Sequence, residues 1–207
     1  MNKGRLFIIS GPSGSGKDTI LKEFFKEHPE VGFSISSISR PMRAGEVEGE
    51  KYNFISRETF LKLIEENMLL EYNEFCGNFY GTPKAPVLAC LESGKDMILE
   101  LDVNGAANVR REMPEAVSVF VMPPSYEVLF NRLCGRGTEK PEVIEKRMET
   151  ALTEIARAKE YDYIVVNDKI DDAVDDLISI VISGRPINKN EKTIIDEVLK
   201  NVKSSNR

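Results

Sequence analysis

Apolar positions along this chain follow two rhythms. Nearly continuous apolar runs of strand length occur at LFIIS (residues 6–10), MILEL (97–101), AVSVFVM (116–122) and YIVV (163–166), as in strands covered on both faces. Between them apolar residues recur three and four apart. Ile20, Leu21, Phe24 and Phe25 predict a helix over 18–27 that ends at His28-Pro29. Further helices are predicted over 83–93, 106–112, 125–133, 141–161 and 173–182. Strand, helix, strand in this order is the rhythm of βαβ units and a parallel sheet.

A second kind of pattern interrupts the first. Short extended pieces are predicted at 33–38 and 52–55, with a helix over 56–67 opened by Ser56. Residues 69–75 and 79–82 flank the turn Cys76-Gly77-Asn78 and read as a hairpin. Antiparallel strands inserted between parallel ones predict a small binding subdomain over about 35–95. The tail beyond Gly184 is polar, with one helical patch at 193–202, and the chain has no internal repeat or low-complexity segment.

The junction between the first strand and the first helix is GPSGSGKDT, residues 11–19. Within Gly11-Pro12-Ser13-Gly14-Ser15-Gly16 the three glycines let successive backbone N–H groups turn toward a polyphosphate, and Lys17 stands at a helix N-terminus, where anions are favoured. The spacing fits G-x-x-x-x-G-K-[ST] except at its last place, where Asp18 replaces the hydroxyl and Thr19 follows one residue late.

Composition narrows the field. A length of 207 residues suits one α/β domain with inserted subdomains. The net charge of −6 opposes a broad nucleic-acid footprint, so an anionic ligand needs local arginines: Arg40 and Arg43, then Arg132, Arg136 and Arg147. Three separated cysteines and one histidine assemble neither a disulfide framework nor a zinc site. No apolar stretch approaches the roughly 20 residues of a membrane span, and no secretory core follows Met1, so the expectation is a cytoplasmic, soluble protein without membrane or nucleic-acid partners.

Taken together, GPSGSGK, SRPMRAGEVEGEKYNF, GNFYGTP, LELDVNGA, GRGTEKPEVIEKR and YDYIVVND resemble the segments of the guanylate kinase family, in that family's order. The resemblance implies a three-layer P-loop kinase fold: a core (about 4–34, 96–124 and 162–183), a GMP-binding subdomain (35–95), a helical lid (125–161) and a C-terminal segment (184–207). It also implies a reaction, Mg2+-dependent transfer of the ATP γ-phosphoryl group to GMP, and to dGMP, in purine nucleotide metabolism, by a monomer or homodimer.

The roles it implies fall on named residues. Lys17 reaches the ATP phosphates, Arg40 and Arg43 take the GMP phosphate with Tyr52 and Tyr80, and Ser36, Glu71 and Thr82 form the guanine pocket. A carboxylate suits guanine because N1–H and the N2 amine are both donors on one edge, whereas adenine offers no such pair. Glu100 and Asp102, read as alternating on one strand and facing one side, are divided between guanine and the metal's water shell in an order the resemblance leaves open. Arg132, Arg136 and Arg147 belong to the lid and neutralise the moving phosphoryl group, Arg147 being shared with GMP, and Asn167 lies at the adenine. Asp18, with Thr19, either holds magnesium directly or through water, or Asp18 only caps the helix.

Two rivals differ in class. One is a kinase-like interaction module that has lost catalysis, opposed by the intact Gly11, Gly14, Gly16, Lys17 and the arginines. The other is a related kinase with a different acceptor, opposed by Glu71 and Thr82.

Overall fold

The computed structural model describes residues 3–135, 141–184, 195, 196, 198 and 199. The chain divides into two units, Met1–Ile8 with Glu30–Val117, and Ile9–Pro29 with Ser118–Arg207, so the first strand, β1 (Leu6–Ser10), passes from one to the other.

In the first unit β1 follows β7 (Met97–Glu100) and β2 (Gly32–Phe33) in the order β2-β7-β1, with β2 and β7 parallel. A second sheet runs β4-β3-β6-β5. It consists of β3 (Ser36–Ile38), β4 (Tyr52–Phe54), β5 (Leu69–Phe75) and β6 (Asn78–Pro83). The β5–β6 hairpin and the β3–β6 pair are antiparallel as expected, but β3 and β4 pair in parallel, which makes this sheet mixed. The expected strand over 33–38 is two strands in different sheets, because the chain leaves the first sheet after Phe33 and joins the second at Ser36.

The second sheet has its own core. Helix α2 (Arg57–Glu65), capped by Ser56 accepting from the Thr59 N–H, lays Phe60 against Phe79 with ring centroids 5.2 Å apart, and Leu69, Ile55, Leu63 and Ile64 complete the cluster. Stacked, buried aromatic rings supply apolar area that helps to hold so small a sheet. Helix α3 (Lys84–Glu92) follows β6. Helix α4 (Val103–Glu112) begins three residues before the expected 106, because Asp102 caps it, accepting from the N–H groups of Asn104 and Gly105. Asp102 therefore lies beyond the strand carrying Glu100, and the alternation read for the pair does not extend to it.

In the second unit the order is β1-β8-β9, with β8 (Val117–Met122) and β9 (Tyr163–Val166) parallel and nearly all apolar. Helix α1 (Lys17–Glu27) packs on α7 (Ile170–Val181), and α5 (Tyr126–Cys134) packs on α6 (Pro141–Ile155). Helix α7 also starts three residues early, with Asp171 and Asp172 in its first turn, where acids complement the helix dipole. The long helix expected over 141–161 stops at Ile155, and residues 158–160 form a 3-10 turn. Of the patch at 193–202, Ile195, Asp196, Val198 and Leu199 are helical, and the rest lies outside the described residues. Cys76, Cys90 and Cys134 are free thiols.

Candidate active site

The phosphate loop in the second unit is shaped by close approach. Gly11 has φ 147°, and a Cβ there would lie 2.2 Å from the Val121 carbonyl oxygen, so the loop can leave β1 this close to β8 only with glycine. Gly16, at φ 90°, is the N-cap of α1, and a Cβ on it would meet Asn167 Nδ2 at 2.2 Å. No side chain caps this helix, which leaves its N-terminal end to the loop's own groups. Lys17 folds its ammonium back over the loop, donating to the carbonyls of Gly11 (2.6 Å) and Pro12 (3.4 Å). Asp18 and Thr19 are exposed in the first turn.

Three residues from distant parts of the sequence converge on this loop. Asn167 is buried after β9 and donates from Nδ2 to the Ser15 carbonyl at 2.7 Å. Arg132, on α5, donates to the Asn167 carbonyl at 2.9 Å and to the Ser15 carbonyl at 3.4 Å. Arg147, on α6, donates to Ser13 Oγ at 2.8 Å. The Asn167 side chain thus grips the loop's backbone, where the resemblance assigned it to the adenine. Arg136 lies outside the described residues.

The first unit carries a separate cluster. Arg40 follows β3 and is almost fully buried, stacked near the rings of Tyr52 (5.7 Å) and Phe54 (5.6 Å). Its guanidinium fork is bidentate on Glu46, Nη1 to Oε2 at 2.7 Å and Nη2 to Oε1 at 2.5 Å, and the Arg43 N–H donates to the same carboxylate at 2.7 Å. The Arg40 bond, then the Arg43 N–H, holds the Glu46 carboxyl down at about 2, and Glu46 in turn raises the proton affinity of Arg40. Tyr80 adds to this rise. A planar fork already matched to two oxygens is a ready phosphate receptor.

Beside it, Glu71 on β5 and Thr82 on β6 are register partners and both are buried. Thr82 Oγ1 donates to Glu71 Oε1 at 2.7 Å. Burial pushes the Glu71 carboxyl up to about 7; the Thr82 bond opposes this and the charge of Asp102 adds to it. Asp102 accepts from Asn73 Nδ2 at 3.2 Å, and Glu100 pairs with Lys51 at 3.0 Å. Ser36 is half-buried on β3. The result is a buried carboxyl–hydroxyl pair, Glu71 and Thr82, in the same unit as a buried arginine with its fork on a carboxylate.

Residues 3–183 match the guanylate kinase family model. The chain belongs to the guanylate kinase family. It is 49% identical over 177 residues to the guanylate kinase of Thermobifida fusca (strain YX), covering 86% of this chain and 90% of that protein. With the guanylate kinase of Clostridioides difficile (strain 630) it shares 44% identity over 200 residues, 97% of this chain and 98% of the relative. The crystal structure of guanylate kinase from Anaplasma phagocytophilum matches it with a TM-score of 0.73 at 28% identity, over 94% of this chain and 95% of that one. The protein is therefore an enzyme, a nucleoside monophosphate kinase on a P-loop α/β fold.

Guanylate kinase membership gives meaning to residues that sequence reasoning passed over. Glu46, Lys51, Asn73 and Gly105 were not singled out, yet each touches a residue that was. Asn73 carried a usable signal, since it stands two residues from Glu71 on one strand and so shares its face. Glu46 carried none, because a carboxylate in a charged loop reads as solvated.

Proposed function

We propose that this enzyme transfers the γ-phosphoryl group of ATP to GMP, and to dGMP, with magnesium, giving ADP and the guanosine or deoxyguanosine diphosphate. The observation that carries the acceptor is the buried Glu71–Thr82 pair, since a carboxylate kept from water discriminates strongly between an edge with two donors and one without. As guanine arrives, Thr82 turns its hydroxyl from Glu71 to O6, and Glu71, ionised, accepts from N1–H and N2–H.

Arg40 exchanges Glu46 for the GMP phosphate, helped by Arg43, Tyr52 and Tyr80. Lys17 and the loop N–H groups bind the ATP phosphates, and Arg132, Arg136 and Arg147 neutralise charge as the phosphoryl group moves. Phosphoryl transfer through a loose transition state asks mainly for such positioning and charge neutralisation. Among the described residues no cluster of three or more His, Cys, Asp and Glu side chains could hold a metal alone, whereas the exposed Asp18 and Thr19 oxygens beside Lys17 fit a magnesium carried in on the nucleotide. Asp18 and Thr19 would hold that ion, directly or through water, and it would supply positive charge against the phosphates. Three free thiols suit a reducing cytoplasm, and the product fits a role in purine nucleotide metabolism.

A coupled assay with ATP, magnesium and GMP, dGMP, AMP or UMP tests this. ADP should form with GMP and dGMP. No ADP above the acceptor-free rate with GMP would defeat the proposal, and equal turnover of AMP would reject the role of Glu71.

A further inference from the structure

Glu71 does not sit in open space. Its carboxylate lies against the first turn of α4, at Gly105. A Cβ built on Gly105 would stand 2.8 Å from Glu71 Oε2, 3.3 Å from Glu71 Cδ and 3.6 Å from Asp102 Oδ1. The first distance is one that real Cβ atoms do not adopt, so any side chain at 105 displaces the carboxylate. Gly105 is buried, and its N–H is held by Asp102 Oδ1 at 2.8 Å, which fixes the turn against the strand. On the other side Glu71 Oε1 is tied to Thr82. The carboxylate is thus located by a hydroxyl at one oxygen and by the absence of a methyl group at the other.

We infer that Gly105 is a positioning residue for guanine selectivity, its missing side chain being the space that keeps the Glu71 carboxylate where two guanine donors can meet it. The inference rests on the reading of Glu71 as the guanine receptor. Its physical content is a separation of effects. Gly105 lies in a regular helix with no left-handed backbone to protect, and alanine is the better helix former, so the backbone does not demand glycine. The atoms a methyl group would meet are the far end of a flexible side chain, which yields by rotating. The fold therefore absorbs Gly105→Ala at little cost, while Glu71 swings out of line with its partner hydroxyl and the substrate loses a carboxylate aimed at its edge.

The test is a double-mutant cycle on GMP affinity, read by titration calorimetry, with thermal unfolding of each protein. G105A is expected to weaken GMP at least tenfold, to leave the KM for ATP unchanged and to melt no lower than the parent. E71A is expected to weaken GMP by as much or more. In E71A/G105A the methyl group no longer meets a carboxylate at clashing distance, its contact with Asp102 Oδ1 being an ordinary 3.6 Å, so G105A should add no further loss. An added loss in the E71A background, or GMP affinity unchanged in G105A, would overturn the inference. If G105A were to unfold, E71A/G105A should fold again, and failure of that rescue would equally overturn it. Unchanged GMP affinity in E71A alone is a different result, and it would reject the guanine role of Glu71 itself.

Discussion

Replacing Glu71 by glutamine keeps the shape of the side chain and removes its charge, and the structure sets the size of the consequence. Burial raises this carboxyl from 4.5 to about 7. The unfolded chain loses the proton near 4.5 while the folded protein keeps it until about pH 7, so the folded state binds more protons in that window and stability falls as pH rises through it. At about 1.4 kcal/mol per pH unit, the penalty grows to about 3 kcal/mol above pH 7 and is absent below 4.5. Glutamine carries no such penalty. Ligand-free E71Q should therefore be more stable than the parent by up to about 3 kcal/mol at pH 8, a rise in melting temperature on the order of 5–10 °C for a chain of this size. The advantage should shrink toward zero near pH 4.5. Thermal unfolding of both proteins between pH 4.5 and 8.5 measures it, and a melting difference that is the same at pH 5 and pH 8 would refute the reasoning. The same variant should bind GMP more weakly, so stability and affinity move in opposite directions, as at sites that hold a group in a poor environment for function.

On the proposed role of Glu71, in which guanine takes the ionised carboxylate, GMP binding should release a proton below pH 7, and affinity should fall about tenfold from pH 8 to pH 6 beyond any change seen in E71Q; calorimetry in buffers of different ionisation enthalpy reads both. Asn167→Ala removes the amide that holds the Ser15 carbonyl, and should raise the KM for ATP by about tenfold while leaving that for GMP unchanged; an equal rise in both would contradict its placement at the loop. Asp18→Ala should raise the magnesium concentration for half-maximal rate several-fold, and an unchanged magnesium dependence would leave Asp18 only its place in the first turn of α1.

Much of this site was legible because its parts are local. The phosphate loop is one contiguous segment whose glycines announce themselves, and β9 was read to the residue because YIVV is bounded by polar neighbours on both sides. Errors arose where a tertiary choice overrode a local pattern. FSISSI contains no breaker, yet the chain changes sheets within it, and only the pairing partners show where. The starts of α4 and α7 were read late for a related reason. The predicted spans begin at Ala106 and Ala173, whereas Asp102 caps α4 and Asp171 with Asp172 fills the first turn of α7, where acids are favoured. The contact of Asn167 with Ser15, 152 positions away in the chain, likewise leaves no mark on either neighbourhood.

The glycines show why some site residues stay hidden. A Cβ on Gly11, at φ 147°, would strike the Val121 carbonyl oxygen at 2.2 Å, so this position is closed to other residues by space and by backbone conformation alike; one on Gly16 would meet the tip of the Asn167 side chain, and there the positive φ is the firmer constraint. Glycines held by their backbone conformation make a motif. Gly105 has only the spatial constraint, against the tip of a side chain that can move aside. Substitution at Gly11 therefore meets backbone that cannot yield and costs the fold, whereas substitution at Gly105 meets a carboxylate that can yield and costs recognition of the base. A residue whose role is to leave room for a movable catalytic partner is invisible to propensity, to periodicity and to stability alike. It shows itself only when the position of that partner is measured.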